Sequence, residues 1–141
     1  MNVYAKQAHA YLAQRVLAAS PEQQAALIME AGQLHVGRAI QALNRKDSPA
    51  ATTSILRVSE VLQEAYLRLN LATGGAAAQN LKNLYVWWGQ EILAAERSGD
   101  TARLAAVAQG MGEIRQAWEQ LHEQKVGTSG VAALQFGDRV G

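Results

Sequence analysis

Apolar residues recur every three or four positions along most of this chain, which is the period of amphipathic α-helices. The most regular stripes are Ile55, Val58, Leu62, Ala65 and Leu69, and then Leu104, Val107, Met111, Ile114, Trp118 and Leu121. Start and stop signals between the stripes divide the chain into helices. They predict four long helices, spanning about 20–46, 48–72, 76–98 and 100–125.

The start of the first helix carries the strongest signal. Ser20 is a preferred capping residue, Pro21 suits the first helical position, and Gln23 completes a capping box. Ser48 and Pro49 repeat the cap-then-proline pattern before the second helix. The remaining boundaries are marked by Gly74-Gly75 before the third helix, by Gly99 at its end and by Asp100 as the cap of the fourth.

Similar helix lengths and short connections predict how these elements are arranged. Neighbouring helices joined by a few residues run antiparallel, so an all-α, up-down-up-down four-helix bundle is expected. The predicted domain covers 1–126, with a short helical N-terminal arm at 1–18. Residues 127–141 are rich in glycine with only scattered apolar residues, and we expect a disordered tail there.

Helical spacing also predicts which side chains form the core. In the fourth helix, Trp118 and Leu121 continue the stripe and are expected to be buried. In the first helix the predicted core face comprises Ile28, Gly32, Val36, Ile40 and Leu43, with Leu27, Ala31 and Leu34 beside them.

The third helix contains more large apolar side chains than one face can hold. Leu84, Tyr85, Val86, Trp87 and Trp88 are consecutive, and successive side chains point about 100° apart around a helix. With Tyr85 and Trp88 on the core face, Val86 and Trp87 lie off it. Exposed groups of this size indicate a surface that binds another apolar surface.

Composition limits the classes of function. The chain has 141 residues, 13 basic and 12 acidic, for a net charge of +1, which does not favour nucleic-acid binding. It has no cysteine for disulfides or thiolate metal sites. Neither a membrane-spanning stretch nor a secretory signal is visible, so the expected location is the cytoplasm.

No catalytic or cofactor site is predicted. Glu119 and His122 match one Glu-x-x-His pair of a di-iron bundle, but a second pair is missing, and two solvated residues are the favoured interpretation. Gly32 and Gly37 inside the first helix leave two alternatives open. They allow either close helix packing or a shallow groove for another chain.

Several of these features, in this order, resemble the FliS family of flagellin export chaperones. The similarity covers about 2–124. It rests on Tyr4 and Tyr11 before the first helix, Ala19-Ser20-Pro21-Glu22-Gln23, Gly74-Gly75 ahead of Asn80-Leu81-Lys82-Asn83-Leu84-Tyr85, and Trp118 after Ile114. Where this family has Asp and then an aromatic residue after the tyrosine, this chain has Val86-Trp87-Trp88.

The resemblance implies a non-catalytic cytoplasmic protein that binds the disordered C-terminal segment of flagellin, prevents premature polymerisation and keeps the subunit ready for export. Components of the export apparatus are a second class of partner that the resemblance suggests. A monomer or weak homodimer is expected. The expected partner-binding residues are Tyr4, Tyr11 and Leu12 in the arm, Ser20 and Pro21 where it leaves the bundle, and Leu84, Tyr85, Val86 and Trp87. The alternatives are a self-associating structural bundle and a ferritin-like metal-binding bundle.

Overall fold

The computed structural model describes residues 6–7, 19–71 and 73–140, with side chains described as far as residue 127. The described residues contain helices and no strand, which confirms the all-α prediction. The four long helices are α1 (Pro21–Asn44), α2 (Ser48–Leu67), α3 (Gly75–Ser98) and α4 (Thr101–Val140). The predicted arm residues Tyr4, Tyr11 and Leu12 lie outside the described residues.

Each helix packs against the next one in the chain, and α4 returns to pack against α1. This closed order of antiparallel neighbours is the predicted four-helix bundle. Backbones approach most closely where α1 meets α2 and α4. One reason is Gly32, where an added Cβ would lie only 2.8 Å from the Met111 sulfur. Close packing is therefore the role of this glycine, whereas a Cβ at Gly37 would meet nothing within 4 Å.

The helix ends follow the predicted capping chemistry with one change of residue. At α1, Ser20 Oγ accepts from the Gln23 N–H and the Gln23 side chain accepts from the Ser20 N–H, as predicted. At α2 the cap is Asp47, whose carboxylate accepts from the Ala50 N–H, so Ser48 is already helical. A carboxylate is an equally good cap, and its position one residue earlier decides the boundary.

Helix α2 ends at Leu67, before the predicted end at residue 72. The Asn70 side chain accepts from the Thr73 N–H at 3.2 Å, and the Asn70 carbonyl accepts from the Gly74 N–H at 2.7 Å. These local bonds form a turn that competes with further helix.

The core face of α1 is rotated from the predicted one. Met29, Val36 and Ala39 are fully buried, whereas Ile28 and Ile40 lie at the edge of the core and Leu34 is 52% exposed. Gly32 and Val36 of the predicted face are buried as expected, so the rotation is partial: Met29, Ala39 and Ala42 occupy the core where Ile28, Ile40 and Leu43 were predicted. The core combines this face with side chains of the other helices, among them Ile55, Val58, Leu62, Tyr85, Trp88, Ile92, Leu104, Val107 and Met111.

The second half of the α4 stripe leaves the core. Leu104, Val107 and Met111 are buried, but Trp118 is only partly buried and Leu121 is 38% exposed, so the prediction for these two was wrong. Helix α4 also continues to Val140 instead of ending near 125 before a disordered tail. No proline interrupts 119–140, so the backbone hydrogen-bond pattern can propagate through the glycines.

Among the described residues, no helix is both long and apolar enough to cross a membrane.

Candidate functional site

A groove between α2 and α3 is bordered by large apolar side chains that the bundle leaves in contact with solvent. Leu56 and Leu67 on α2 are 58% and 68% exposed. Val86 and Leu93 on α3 are 50% and 49% exposed. We call this surface the α2–α3 groove. Each rim carries two large exposed apolar side chains, with the polar Gln63 beside Leu67 on the α2 side. Exposed apolar residues that are grouped in this way are typical of interaction surfaces.

Helical geometry and one cross-helix contact place these four residues. Leu56 and Leu67 lie about three turns apart, and Val86 and Leu93 about two turns apart, so each pair shares one strip of its helix. The Thr52 hydroxyl donates to the Glu96 carboxylate at 2.8 Å, which fixes the register of the antiparallel helices. In that register, Leu67 lies near Val86 at one end and Leu56 near Leu93 at the other.

The end of the groove near Val86 opens into a cavity of about 380 Å³. Tyr85, which is 4% exposed, forms part of its inner wall. The cavity is lined by Leu62, Gln63, Tyr66, Leu67, Tyr85 and Val86. Since most of these side chains are apolar, the cavity suits an apolar side chain of a partner.

A second cavity, of about 210 Å³, lies at the end of the bundle where α1 begins. Tyr85 also lines this cavity, so one side chain separates the two. Trp118 lines this cavity from α4. Burial raises the pKa of Tyr85, and the neighbouring Trp118 side chain offsets part of that effect. All four helices or their ends contribute, through Pro21, Gln24, Ala25, Ile28, Ala65, Arg68, Tyr85 and Trp118.

The two adjacent tryptophans have opposite environments. Trp88 is buried at 2% exposure, with its ring centroid 5.9 Å from that of Tyr85, whereas Trp87 is 52% exposed. Trp87 and Val86 point about 100° apart, so they lie on different sides of the outer face of α3. Val86 faces the α2–α3 groove, and Trp87 lies outside it. Leu84 is partly buried and packs against the core.

Ser20 and Pro21 lie at a junction between α1 and α4 that spacing along the chain does not reveal. The Ser20 hydroxyl is 2.9 Å from His122 Nδ1. Glu22, which is 8% exposed, pairs with Lys125, and this bond is the largest cause of the lowered pKa of Glu22. His122 is thus a structural partner of the helix cap. A capping residue such as Ser20 is recognisable in sequence, but its partner 102 positions away is not.

The model of the family described as flagellar protein FliS matches residues 4–125. The chain belongs to the FliS family. Membership implies a flagellar export chaperone, and FliS is not a family of enzymes. A comparison with curated proteins finds no match. The FliS match ends at Lys125, the residue that pairs with the first turn of α1.

One further concave surface of this FliS protein is rich in basic side chains. A cavity of about 400 Å³ between α1 and α2 contains Arg38, Arg45 and Arg57 beside His35. Burial is the largest cause of the lowered pKa of His35, and the positive charges of Arg38 and Arg57 lower it further. Within the described residues, no group of three or more His, Asp or Glu side chains could hold a metal ion, and Glu119 pairs with Arg115 at 3.6 Å.

Proposed function

We propose that this chain is a cytoplasmic chaperone that binds the C-terminal segment of flagellin, prevents its premature polymerisation and keeps it competent for export. The observation that carries the proposal is the α2–α3 groove, whose four rim residues are each about half exposed or more. Membership of the FliS family supports flagellin as the client. Components of the export apparatus are further partners in this proposal.

The groove suits an amphipathic helix of the client. Such helices bind through apolar residues at positions i, i+3 or i+4, and i+7, which span about 10 Å along one face. Val86 and Leu93 are separated by the same distance on α3. Burying the exposed half of each rim side chain contributes roughly 1 kcal/mol, so four of them offset part of the entropy lost when a disordered segment becomes ordered.

Trp87 extends the proposed client surface around α3. A segment that continues past the groove and over the outer face of this helix would cover both Val86 and Trp87. In this proposal Leu84 and Tyr85 support the client surface from the core side of α3, because Tyr85 forms the inner wall of the cavity beside Val86.

The N-terminal arm is the proposed cover of the site in the free protein. Tyr4, Tyr11 and Leu12 are among its large apolar residues, and the arm joins the bundle at Ser20 and Pro21. The cavity that contains Pro21 and Tyr85 lies at this junction. Flagellin would displace at least part of the arm.

A charge introduced in the groove tests the proposal. We expect Val86→Glu to weaken binding of the cognate flagellin C-terminal segment at least about tenfold, since a buried unpaired carboxylate is costly. The matched control is Leu34→Glu, because Leu34 is similarly exposed at 52% but lies on the outer face of α1, away from α3. Trp87→Ala should weaken binding with little change in melting temperature. Isothermal titration calorimetry and thermal unfolding measure the two quantities.

Equal binding by Val86→Glu and the wild type would reject the groove as the flagellin site. Light scattering tests self-association, because a homodimer would bury the same apolar surface. A dimer that is unchanged by flagellin and broken by Val86→Glu would replace the chaperone proposal with a structural one.

A further inference from the structure

Gly89 occupies the middle of the α3 side of the α2–α3 groove. It lies one turn from Val86 and one turn from Leu93, on the same side of the helix. It is partly buried, and a Cβ added there would meet nothing within 4 Å. The groove therefore has unfilled space at this position.

The facing position on α2 is also small. The register set by Thr52 and Glu96 places Ser59 opposite Gly89, seven residues along each helix. The Ser59 hydroxyl bonds back to the Ile55 carbonyl at 3.2 Å, so it is turned along its own helix. Gly89 and Ser59 together form a notch between the two apolar ends of the groove.

The fold itself gives no reason for glycine at this position. Gly89 does not have a positive φ, in contrast to Gly75 and Gly99, and no neighbour would clash with a methyl group. Gly32 and Gly110 differ, since an added Cβ would lie 2.8 Å from Met111 and from Trp88. Glycine inside a helix lowers stability relative to alanine. Gly37 on α1 shares these properties. What distinguishes Gly89 is its position between the exposed apolar side chains of Val86 and Leu93, and this position favours a role in binding.

We infer that the Gly89–Ser59 notch is the socket for the largest apolar side chain of an amphipathic client helix. This inference rests on the proposed function, and it specifies how the client is recognised. The client residues on either side of this central anchor, one helical turn away in each direction, contact Leu67 and Val86 at one end and Leu56 and Leu93 at the other. The partner is thus a helix with a bulky residue at the centre of a three-anchor stripe.

The test fills the socket without disturbing the fold. Gly89→Ala and the matched control Gly37→Ala both remove an unconstrained, partly buried glycine from a helix, and both should raise the melting temperature by about 2–4 °C. Gly37 lies on α1, outside the groove. We expect Gly89→Ala to weaken binding of the cognate flagellin C-terminal peptide at least about fivefold, and Gly89→Leu more, with no change for Gly37→Ala.

An alanine scan of the same peptide provides a second measurement. Replacing the central anchor residue of the peptide with alanine should weaken binding to the wild type. The same peptide should bind Gly89→Leu again, because the leucine side chain fills the space that the anchor occupied. Flagellin binding that is equal for the wild type, Gly89→Ala and Gly89→Leu would overturn the socket while leaving the groove intact. Failure of the wild type to bind the peptide would instead reject the proposed function. A lower melting temperature for Gly89→Ala would show that the space is needed by the fold, and would also overturn the inference.

Discussion

Glycines show at the scale of single residues how one residue type serves different purposes in this protein. Gly110 makes room for the Trp88 ring, which is fully buried between helices. Gly32 makes room for the end of the Met111 side chain. Gly89 makes room for no atom of the bundle. The same letter in the sequence therefore represents packing at two positions and, in our inference, binding at the third.

The two packing glycines should respond differently to alanine. A Cβ at Gly110 would lie 2.8 Å from Trp88 Cζ2, part of a rigid ring, so we expect Gly110→Ala to destabilise the fold by about 1–3 kcal/mol. A Cβ at Gly32 would meet the flexible Met111 thioether, which can move, and Gly32→Ala should change stability by less than about 1 kcal/mol. Denaturant unfolding of both variants checks this pair. Equal losses would mean that the Trp88 ring can shift as easily as the methionine.

At the scale of elements, the start of α1 and the later part of α4 are held together by polar contacts. Ser20 contacts His122, and Glu22 pairs with Lys125. At this end of the bundle Trp118 is only partly buried and Leu121 is exposed, so these two side chains contribute less apolar packing between the helices. The polar contacts replace some of the lost packing and keep the cavity beside Tyr85 bordered by four helices.

Acid should weaken this junction. The pKa of Glu22 is lowered from its ordinary value of 4.5, first by the bond with Lys125, so the folded state holds this proton less tightly than the unfolded state. Its contribution to stability is present above pH 4.5 and is lost as the pH falls through the lower folded pKa. We expect Glu22→Gln to reduce stability at neutral pH and to flatten the fall in acid. Urea unfolding at a series of pH values measures both effects.

Lys125→Met provides the matching variant for the acid experiment. It removes the main cause of the lowered pKa while leaving the carboxylate in place. Below pH 4.5 the free energy of unfolding of the wild type should therefore fall more steeply with decreasing pH than that of either variant. Parallel curves for all three proteins would show that the Glu22–Lys125 pair does not contribute to acid unfolding.

At the scale of the whole molecule, helix α4 extends past the part of the chain that matches the family. The FliS match ends at residue 125, whereas α4 reaches Val140 and is 40 residues long, against 24 for α1. The contacts of His122 and Lys125 with the start of α1 precede the extension. The bundle and the α2–α3 groove are therefore complete without it.

Removal of 127–141 tests this division of the molecule. We expect the shortened protein to unfold cooperatively, with a melting temperature within about 2 °C of the full chain, which corresponds to less than about 1 kcal/mol. Flagellin binding should be unchanged. A large loss of either property would assign the extension to the folded or binding unit, and thermal unfolding with calorimetry distinguishes the two.

Local patterns in the sequence were sufficient to predict the helices and part of the site. Capping residues and periodicity depend on neighbours within a turn or two, so the start of α1 at Ser20-Pro21 and the all-α bundle were predictable. The exposure of Val86 and Trp87 beside buried Trp88 was predictable for the same reason, since one helix cannot direct consecutive side chains into one core.

Contacts across helices depended on the tertiary structure. The rotation of α1 that buries Met29 and exposes Leu34, and the separation of Val86 from Trp87 onto different sides of α3, depend on how the helices approach one another. The pairing of Ser20 with His122 joins residues 102 positions apart. The α2–α3 groove likewise exists only because the register of two helices brings Leu56 and Leu67 beside the α3 rim. Helical periodicity specifies the direction of a side chain around its own axis, and the packing of the bundle decides what lies opposite it.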